Sequence, residues 1–203
     1  MAMPDRVEIR VVEAGELRVE SRGVAPVIRG YAIVYKRPSE LLGVPAFREQ
    51  IAPEAMARTL AEGVDLRALV DHNPEKPLGR LSAKTLRVES DAHGLRVEID
   101  PPQTSYGHDI VESIRRGDVT GMSFAFRTMP EGDRWDLSAT PPLRTVTDML
   151  VREVSVVTFP AYPETEVAMR SLEAVRSRAG HYPRGRTVAE RQAWALTQGR
   201  GRV

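Results

Sequence analysis

Residues 121–126 read Gly-Met-Ser-Phe-Ala-Phe, a serine set between small residues in a short strand-like run. Successive side chains of a strand point to opposite faces, so Ser123 and its small neighbours share one face while the three large apolar side chains share the other. The apolar face can fill a core, and the small face leaves room around a hydroxyl. This arrangement suits a nucleophile, which needs space for a substrate carbonyl and a base within hydrogen-bond reach.

Two other apolar runs offer a base and an acid for this serine. His72 ends the run Leu69-Val70-Asp71-His72, and histidine is the usual general base at neutral pH. Glu153 lies among the valines of residues 151–157, where a carboxylate must be paired or hydrogen-bonded if it is buried. Structural alternatives stay open for all three residues: a strand serine bonded to backbone, a surface-loop histidine, and a glutamate on an exposed sheet face.

Rival residues of the same types have less favourable places in the sequence. Ser155 in the Glu153 strand and Ser105 at a helix start are easily structural. Asp71 would point to the face opposite His72 if their strand continued, and Asp148 lies where strand character is broken. The other histidines lie in turns or in the first turn of a helix: His93, His108 and His181.

Length and composition predict a single domain with extensions rather than two domains. The 203 residues are 41% hydrophobic and can bury one substantial core. No stretch approaches the roughly 20 apolar residues needed to cross a bilayer, and the polar start lacks a signal-peptide core, so we expect a soluble, unexported protein without a membrane partner. With four histidines, no cysteine and no glycine-rich phosphate loop, we expect no metal and no cofactor.

Charge divides the chain. From Arg170 onward eight arginines stand against two glutamates, so this end carries +6 and the body before it −5. Glycine and proline at positions 180, 183 and 185 interrupt any continued helix, and beyond them only Trp194 and Leu196 could anchor the chain. We therefore expect a domain over residues 1–176 and a basic tail over residues 177–203. The tail has little aromatic interleaving, which argues against nucleic acid as a partner.

Hydrophobic periodicity predicts a mostly β, α+β fold. Alternating runs near residues 7–11, 17–19 and 27–35 indicate an antiparallel meander, and residues 85–89 and 95–99 indicate a hairpin. Short helices are expected over residues 53–60, 109–116 and 164–176, a last one after Thr187, and a mobile hairpin or loop over residues 127–142.

Several of these pieces together resemble the prohead protease family of tailed phages with Hong Kong 97-type capsids. The similarity spans roughly residues 27–165, with the motifs in the right order. The motifs are Gly30-Tyr31-Ala32, Asp71-His72-Asn73, Leu78-Gly79-Arg80, the serine run at 121–126, Glu153-Val154-Ser155-Val156-Val157 and Pro160-Ala161-Tyr162.

The resemblance implies a serine endopeptidase with Ser123 as nucleophile, His72 as general base and Glu153 as the third triad member. It also implies an antiparallel β-barrel flanked by helices, similar to herpesvirus assemblin, in which counting along the similar strand puts oxyanion donors at Ala161 and Tyr162. The implied substrates are the major capsid protein, its scaffold segment and the enzyme itself, cut inside the assembling prohead in the host cytoplasm. A homodimer is left open.

A catalytically silent capsid-assembly or scaffold-binding protein of the same fold is the alternative function. Such a protein would tolerate loss of any triad member, whereas all three are present here. The presence of the three residues favours the enzyme.

Overall fold

The computed structural model describes residues 7–12, 16–158, 168, 171–172 and 174–176. These residues form a mostly β structure that includes the α-helices α1 (Ala57–Ala61) and α2 (Ser105–Arg116) and a 3-10 turn at Pro53–Met56 that leads into α1. The strands of this described part are β1 (Glu8–Val12), β2 (Arg18–Arg22), β3 (Ala25–Val34), β4 (Arg48–Ile51), β5 (Arg67–Val70), β6 (Asn73–Arg80), β7 (Leu86–Ser90), β8 (Gly94–Ile99), β9 (Gly121–Thr128), β10 (Asp133–Asp136), β11 (Leu143–Val146) and β12 (Met149–Val157).

A five-stranded sheet in the order β1-β9-β12-β5-β6 carries the serine run. All its neighbours pair antiparallel except β12 and β5, which run parallel. The predicted alternation of β9 is confirmed, because Met122, Phe124 and Phe126 all lie in the main hydrophobic core. The opposite face is not open, however: Ser123 is fully buried, since strands flank β9 on both sides and polar side chains cover the hydroxyl.

Two smaller sheets complete the described fold. One is the antiparallel sheet β2-β3-β8-β7, which contains the predicted β7–β8 hairpin, and the other is β10-β11-β4, in which β11 and β4 are parallel. The segment predicted as a hairpin or loop over residues 127–142 thus contributes the strand β10 and its turn toward β11. The predicted helix from residue 109 begins earlier, at Ser105, because the Thr104 hydroxyl caps it by accepting a hydrogen bond from the Gly107 N–H.

Two expectations about the sheets need correction. None of the three sheets closes into the expected antiparallel barrel within the described residues, and two strand pairs are parallel. The first three strands do not form one meander either, because β1 pairs with β9 whereas β2 pairs with β3 in another sheet. The placement of β1 apart from β2 and β3 agrees with its charged side chains, whose partners lie in the three-stranded sheet.

A buried ion-pair network ties β1 to the three-stranded sheet. Glu8 and Arg10 of β1 lie against Glu49 of β4 and Arg144 of β11, and all four side chains are almost completely buried. Arg144 also binds Asp133, which is less deeply buried. Burial alone would raise the pKa of the Glu49 carboxyl, but the two guanidinium groups outweigh it and hold that pKa below its ordinary value.

Past β12 the structure describes only a few residues. The predicted helix over residues 164–176 is helical at each of its described positions, and Leu172 is buried in a small cluster with Leu42 and Phe47. The predicted helix after Thr187, the tail over residues 177–203 and the stretch with Ala161 and Tyr162 lie outside the described residues.

Candidate active site

His72 lies in a two-residue turn between β5 and β6. Val70 and Asn73 are paired across the hairpin, and the two residues between them, Asp71 and His72, have φ angles of 48° and 56°. Two consecutive left-handed residues are typical of a type I′ turn, which usually requires Asn or Gly. Histidine in this conformation is strained by roughly 1–3 kcal/mol, a cost that is typical of residues held for function.

Asp71 fastens this turn to the end of β12. Its carboxylate accepts hydrogen bonds from the Thr158 N–H at 2.8 Å and the Thr158 hydroxyl at 3.1 Å, and its own N–H donates to the Val156 carbonyl. Asp71 therefore does not orient the imidazole through its carboxylate. It holds the turn that carries the imidazole.

A β-bulge at Arg152 decides where Glu153 points. Val151 pairs with Phe126 and Glu153 with the very next residue, Ala125, so Arg152 is an extra residue in β12. Without it, Glu153 would share the core face with Val151. The bulge moves the carboxylate to the face of Ser123, which is the physical reason that a glutamate is tolerated in this valine-rich strand.

The three predicted residues meet on this face. The His72 Nδ1 atom lies 2.5 Å from the Glu153 Oε1 atom, and the His72 Nε2 atom lies 2.8 Å from the Ser123 Oγ atom. The side chains of His72 and Glu153 are 19% and 14% exposed, so both are largely shielded from water. Proton transfer from the serine to the imidazole is geometrically feasible, with the carboxylate on the far side of the ring.

The Ser123 hydroxyl has a second neighbour, the Arg10 carbonyl oxygen of β1, at 2.9 Å. A hydroxyl carries one proton, so it donates to either the carbonyl or the His72 Nε2 atom at any moment. General-base activation requires the second arrangement.

Sequence reasoning treats Ser155 as a structural residue of the Glu153 strand, but the structure places it in the site. Its hydroxyl donates to the Glu153 Oε2 atom at 2.7 Å and accepts a hydrogen bond from the His72 N–H at 3.2 Å. It is fully buried and directly opposite Ser123 in the β9–β12 register. The signal in the sequence was its spacing of two from Glu153, which puts both side chains on one face of a strand.

The other rivals lie elsewhere. The His93 ring packs on Tyr31, and His108 contacts Gln103. Asp148 binds Arg58, and Ser105 begins α2. His181 lies outside the described residues, like Ala161 and Tyr162.

A groove of about 490 Å³ lies along β5 and β6, the strands that flank the His72 turn. Leu69, which pairs with Ser155 in the β5–β12 register, lines it together with Pro74, Pro77 and Arg67. Arg67 and Leu69 share the sheet face of Glu153 and Ser155, although His72, Ser123 and Glu153 do not themselves line the groove. Gly79 in its floor is required by close packing, because a Cβ atom there would lie 2.6 Å from the Thr85 carbonyl oxygen.

A serine in hydrogen-bond series with a histidine and a carboxylate, on a mostly β framework, is the arrangement of a serine hydrolase. Comparison with known proteins gives the family. The sequence matches the model of the caudovirus prohead serine protease family over residues 13–178, and the chain belongs to this family. It is a phage prohead maturation protease.

A solved structure supports the fold. The capsid assembly protease gp21 of bacteriophage T4 superposes with a TM-score of 0.53 at 8% sequence identity, covering 76% of this chain and 98% of that one. At this identity the likeness concerns the fold alone. No curated protein sequence matches the chain. Within the described part, no helix is long and apolar enough to span a membrane.

Proposed function

We propose that this prohead protease is a serine endopeptidase that uses Ser123, His72 and Glu153 as its catalytic triad. The observation that carries the proposal is the unbroken series of contacts from the Glu153 carboxylate through the His72 ring to the Ser123 hydroxyl, at 2.5 Å and 2.8 Å. Each of the three side chains comes from a different strand or turn, and local irregularities of the backbone aim two of them at the third.

The proposed reaction begins when the Ser123 Oγ atom attacks the scissile carbonyl carbon and His72 Nε2 takes its proton. The Nδ1–H group of the resulting imidazolium donates to Glu153, which stabilises the positive charge. The C–N bond then breaks, the leaving amine receives the proton from His72, and the acyl group stays on Ser123. Water, activated by the same imidazole, hydrolyses this ester.

The oxyanion that forms during attack needs backbone N–H donors. We assign these to Ala161 and Tyr162, a proposal that rests on the family resemblance alone. Pro160 cannot donate, because its nitrogen carries no hydrogen. The relation to herpesvirus assemblin likewise stays a prediction.

The proposed substrates are the scaffold segment and the major capsid protein, with self-cleavage as a further activity, inside the assembling prohead in the host cytoplasm. The groove along β5 and β6 supports a peptide substrate, since it is partly apolar and two of its residues, Arg67 and Leu69, share the sheet face of Glu153 and Ser155. The residues that line it can contact an extended chain running past Ser123.

Co-expression with the neighbouring capsid protein tests the proposal, with fragment masses compared for the intact enzyme, Ser123→Ala and the control Ser105→Ala. We expect Ser123→Ala to fold, because alanine fits between Gly121 and Ala125, and to cut nothing. Ser105→Ala should cut normally. Cleavage at the intact rate by Ser123→Ala would refute the nucleophile, and no cleavage by any of the three would favour the silent assembly protein.

The domain division is part of the proposal, with a protease domain over residues 1–176 and a basic delivery tail over residues 177–203. Truncation after Arg178 should preserve peptide cleavage and reduce packaging into heads. The charge of the tail would bind an acidic partner strongly at low salt and weakly at high salt. An unfolded or peptide-inactive truncation would show that the tail belongs to the core.

A further inference from the structure

We propose that Ser155 is a positioning residue of this site, which holds the His72–Glu153 pair in its productive orientation. The inference rests on the proposed triad and goes beyond it, because it assigns a role in the chemistry to a fourth side chain that touches neither substrate nor the attacked carbonyl. Sequence reasoning treats this serine as an ordinary strand residue.

The Ser155 hydroxyl contacts both members of the pair at once. It donates its one proton to the Glu153 Oε2 atom at 2.7 Å, and its oxygen accepts the His72 main-chain N–H at 3.2 Å. The side chain is fully buried, so water does not compete for either contact. The hydroxyl therefore links the carboxylate that accepts from the ring to the backbone that carries the ring.

The contact with Glu153 defines which carboxylate oxygen faces the histidine. Oε1 lies 2.5 Å from the His72 Nδ1 atom, and Oε2 is held by Ser155. Without the second bond the carboxylate can turn about its last torsion, which is broad for glutamate. A turned carboxylate would no longer align with the Nδ1–H group that it must stabilise as an imidazolium.

The contact with the His72 N–H acts on the strained turn. His72 has a φ angle of 56°, and its N–H points to the Ser155 side chain instead of a strand carbonyl. Asp71 is fixed by the neighbouring contact from its own N–H to the Val156 carbonyl. The hydrogen bond to Ser155 attaches the next residue of the turn, the proposed base His72, to β12 as well.

A purely structural role for Ser155 can be separated from a positioning role with a second buried hydroxyl, that of Thr59 in helix α1, which bonds to the backbone of the same strand β12. Thr59 donates to the Met149 carbonyl at 3.0 Å and accepts the Val151 N–H at 3.0 Å, and it is 1% exposed. Both hydrogen bonds of the Thr59 hydroxyl are to the backbone of β12, and neither involves Glu153 or His72. Thr59→Val keeps its shape and removes its hydroxyl, which makes it the matched control.

The test uses a fluorophosphonate probe on the full chain, because it reports on the nucleophile without any knowledge of the cleavage site. The Ser123 Oγ atom forms a bond to phosphorus, fluoride leaves, and the serine proton passes to His72. The maximal labelling rate and the half-saturating probe concentration are measured for the intact protein, Ser155→Ala, Ser155→Thr and Thr59→Val. Urea unfolding is measured for each.

We expect Ser155→Ala to lower the maximal labelling rate about tenfold to a hundredfold, the effect of losing a hydrogen bond to a charged group, with the half-saturating concentration unchanged. Ser155→Thr keeps the hydroxyl and should recover most of the rate. Thr59→Val should lose stability comparably but label at the intact rate. The low-field proton resonance of the His72 Nδ1–H group should shift or broaden in Ser155→Ala only.

Labelling of Ser155→Ala at the intact rate, or equal slowing in Thr59→Val, would overturn the inference and leave the triad standing. Unfolding of both Ser155 variants would overturn it as well, because the serine would then hold the fold and not the site. If the folded intact protein is not labelled at Ser123, the proposed triad itself fails and the inference with it.

Discussion

Replacing Arg144 with methionine should destabilise the fold more than any surface change. The arginine is 1% exposed and donates to Glu8 at 2.7 Å, Glu49 at 2.6 Å and Asp133 at 2.7 Å. Methionine has a similar length and no charge, so the substitution removes the cation with little change of volume. Glu8 and Glu49 then share the guanidinium of Arg10, and Asp133 keeps the hydrogen bond from the Ser171 hydroxyl.

The size of the loss depends on the charge left over. A buried carboxylate without a partner takes up a proton, and a carboxyl with an ordinary pKa of about 4.3 pays about 3.7 kcal/mol to be protonated at pH 7. Breaking a buried ion pair by removing one partner costs about 3–5 kcal/mol in general. We therefore expect the free energy of unfolding to fall by about 3–5 kcal/mol at pH 7.

The pH dependence identifies the cause. In the variant, the folded state binds a proton that the unfolded state releases above its ordinary pKa, so the folded state gains about 1.4 kcal/mol for each pH unit of acidification between pH 7 and pH 5. The difference in unfolding free energy between the parent protein and Arg144→Met should therefore be smaller at pH 5 than at pH 7. A loss of packing alone would give the same difference in unfolding free energy at both pH values.

The assay is urea unfolding followed by circular dichroism at pH 7 and pH 5, in a Ser123→Ala background that prevents self-digestion. Arg134→Met is the matched control, because Arg134 lies on β10 with its side chain 71% exposed and forms an ion pair with Glu54 at 3.4 Å. It should change stability by about 0.5 kcal/mol or less. Equal effects of the two substitutions would refute the reasoning.

Three further predictions concern the site and its support. His72→Ala should slow cleavage on the order of 10⁶-fold and Glu153→Gln about 10⁴-fold, measured on one peptide, and a Glu153→Gln enzyme with the intact rate would make the carboxylate structural. The folded-state pKa of Glu49 is lowered, so its ion pairs stabilise the fold fully above about pH 4.3, and this stabilisation is lost as the pH falls through the lowered pKa. In acid unfolding, Glu49→Gln should lack this pH-dependent loss of stability. Asp71→Ala should slow fluorophosphonate labelling about tenfold, because it removes the contact between the turn and Thr158. Asp71→Asn keeps a hydrogen-bond acceptor and should label faster than Asp71→Ala. Equal labelling rates for the two variants would show that the contact with Thr158 is dispensable.

Regular periodicity predicted the parts of the fold that obey it. The alternation of residues 121–126 gave the correct core face, and the β7–β8 hairpin follows from two alternating runs around a turn in which Asp91 accepts from the His93 and Gly94 N–H groups. Helix α2 likewise buries Ile110 and Ile114 on the expected stripe. Local pattern is sufficient where one face is apolar.

The remaining elements depend on contacts that are distant in sequence. Strand β6 contains Pro74 and Pro77, which argue against a strand, and it is formed only because it lies at a sheet edge. In β1 the polar residues Glu8 and Arg10 are the most buried, which inverts the usual reading of alternation. Their partners lie on β4 and β11, far away in the sequence, and a local sequence pattern does not predict such contacts.

The three site residues could be chosen from the sequence, but their meeting could not be derived from regular strands. In an unbroken β12, Glu153 would face the core beside Val151, and in an extended β5, His72 would continue the strand instead of crossing toward Ser123. The bulge and the left-handed turn each correct one of these directions, and both lie where the apolar pattern loses its period. Two departures from regularity in the sequence are therefore its most informative signals of the proposed active site. They are the step of three from Val151 to Val154 and the polar residues that end β5.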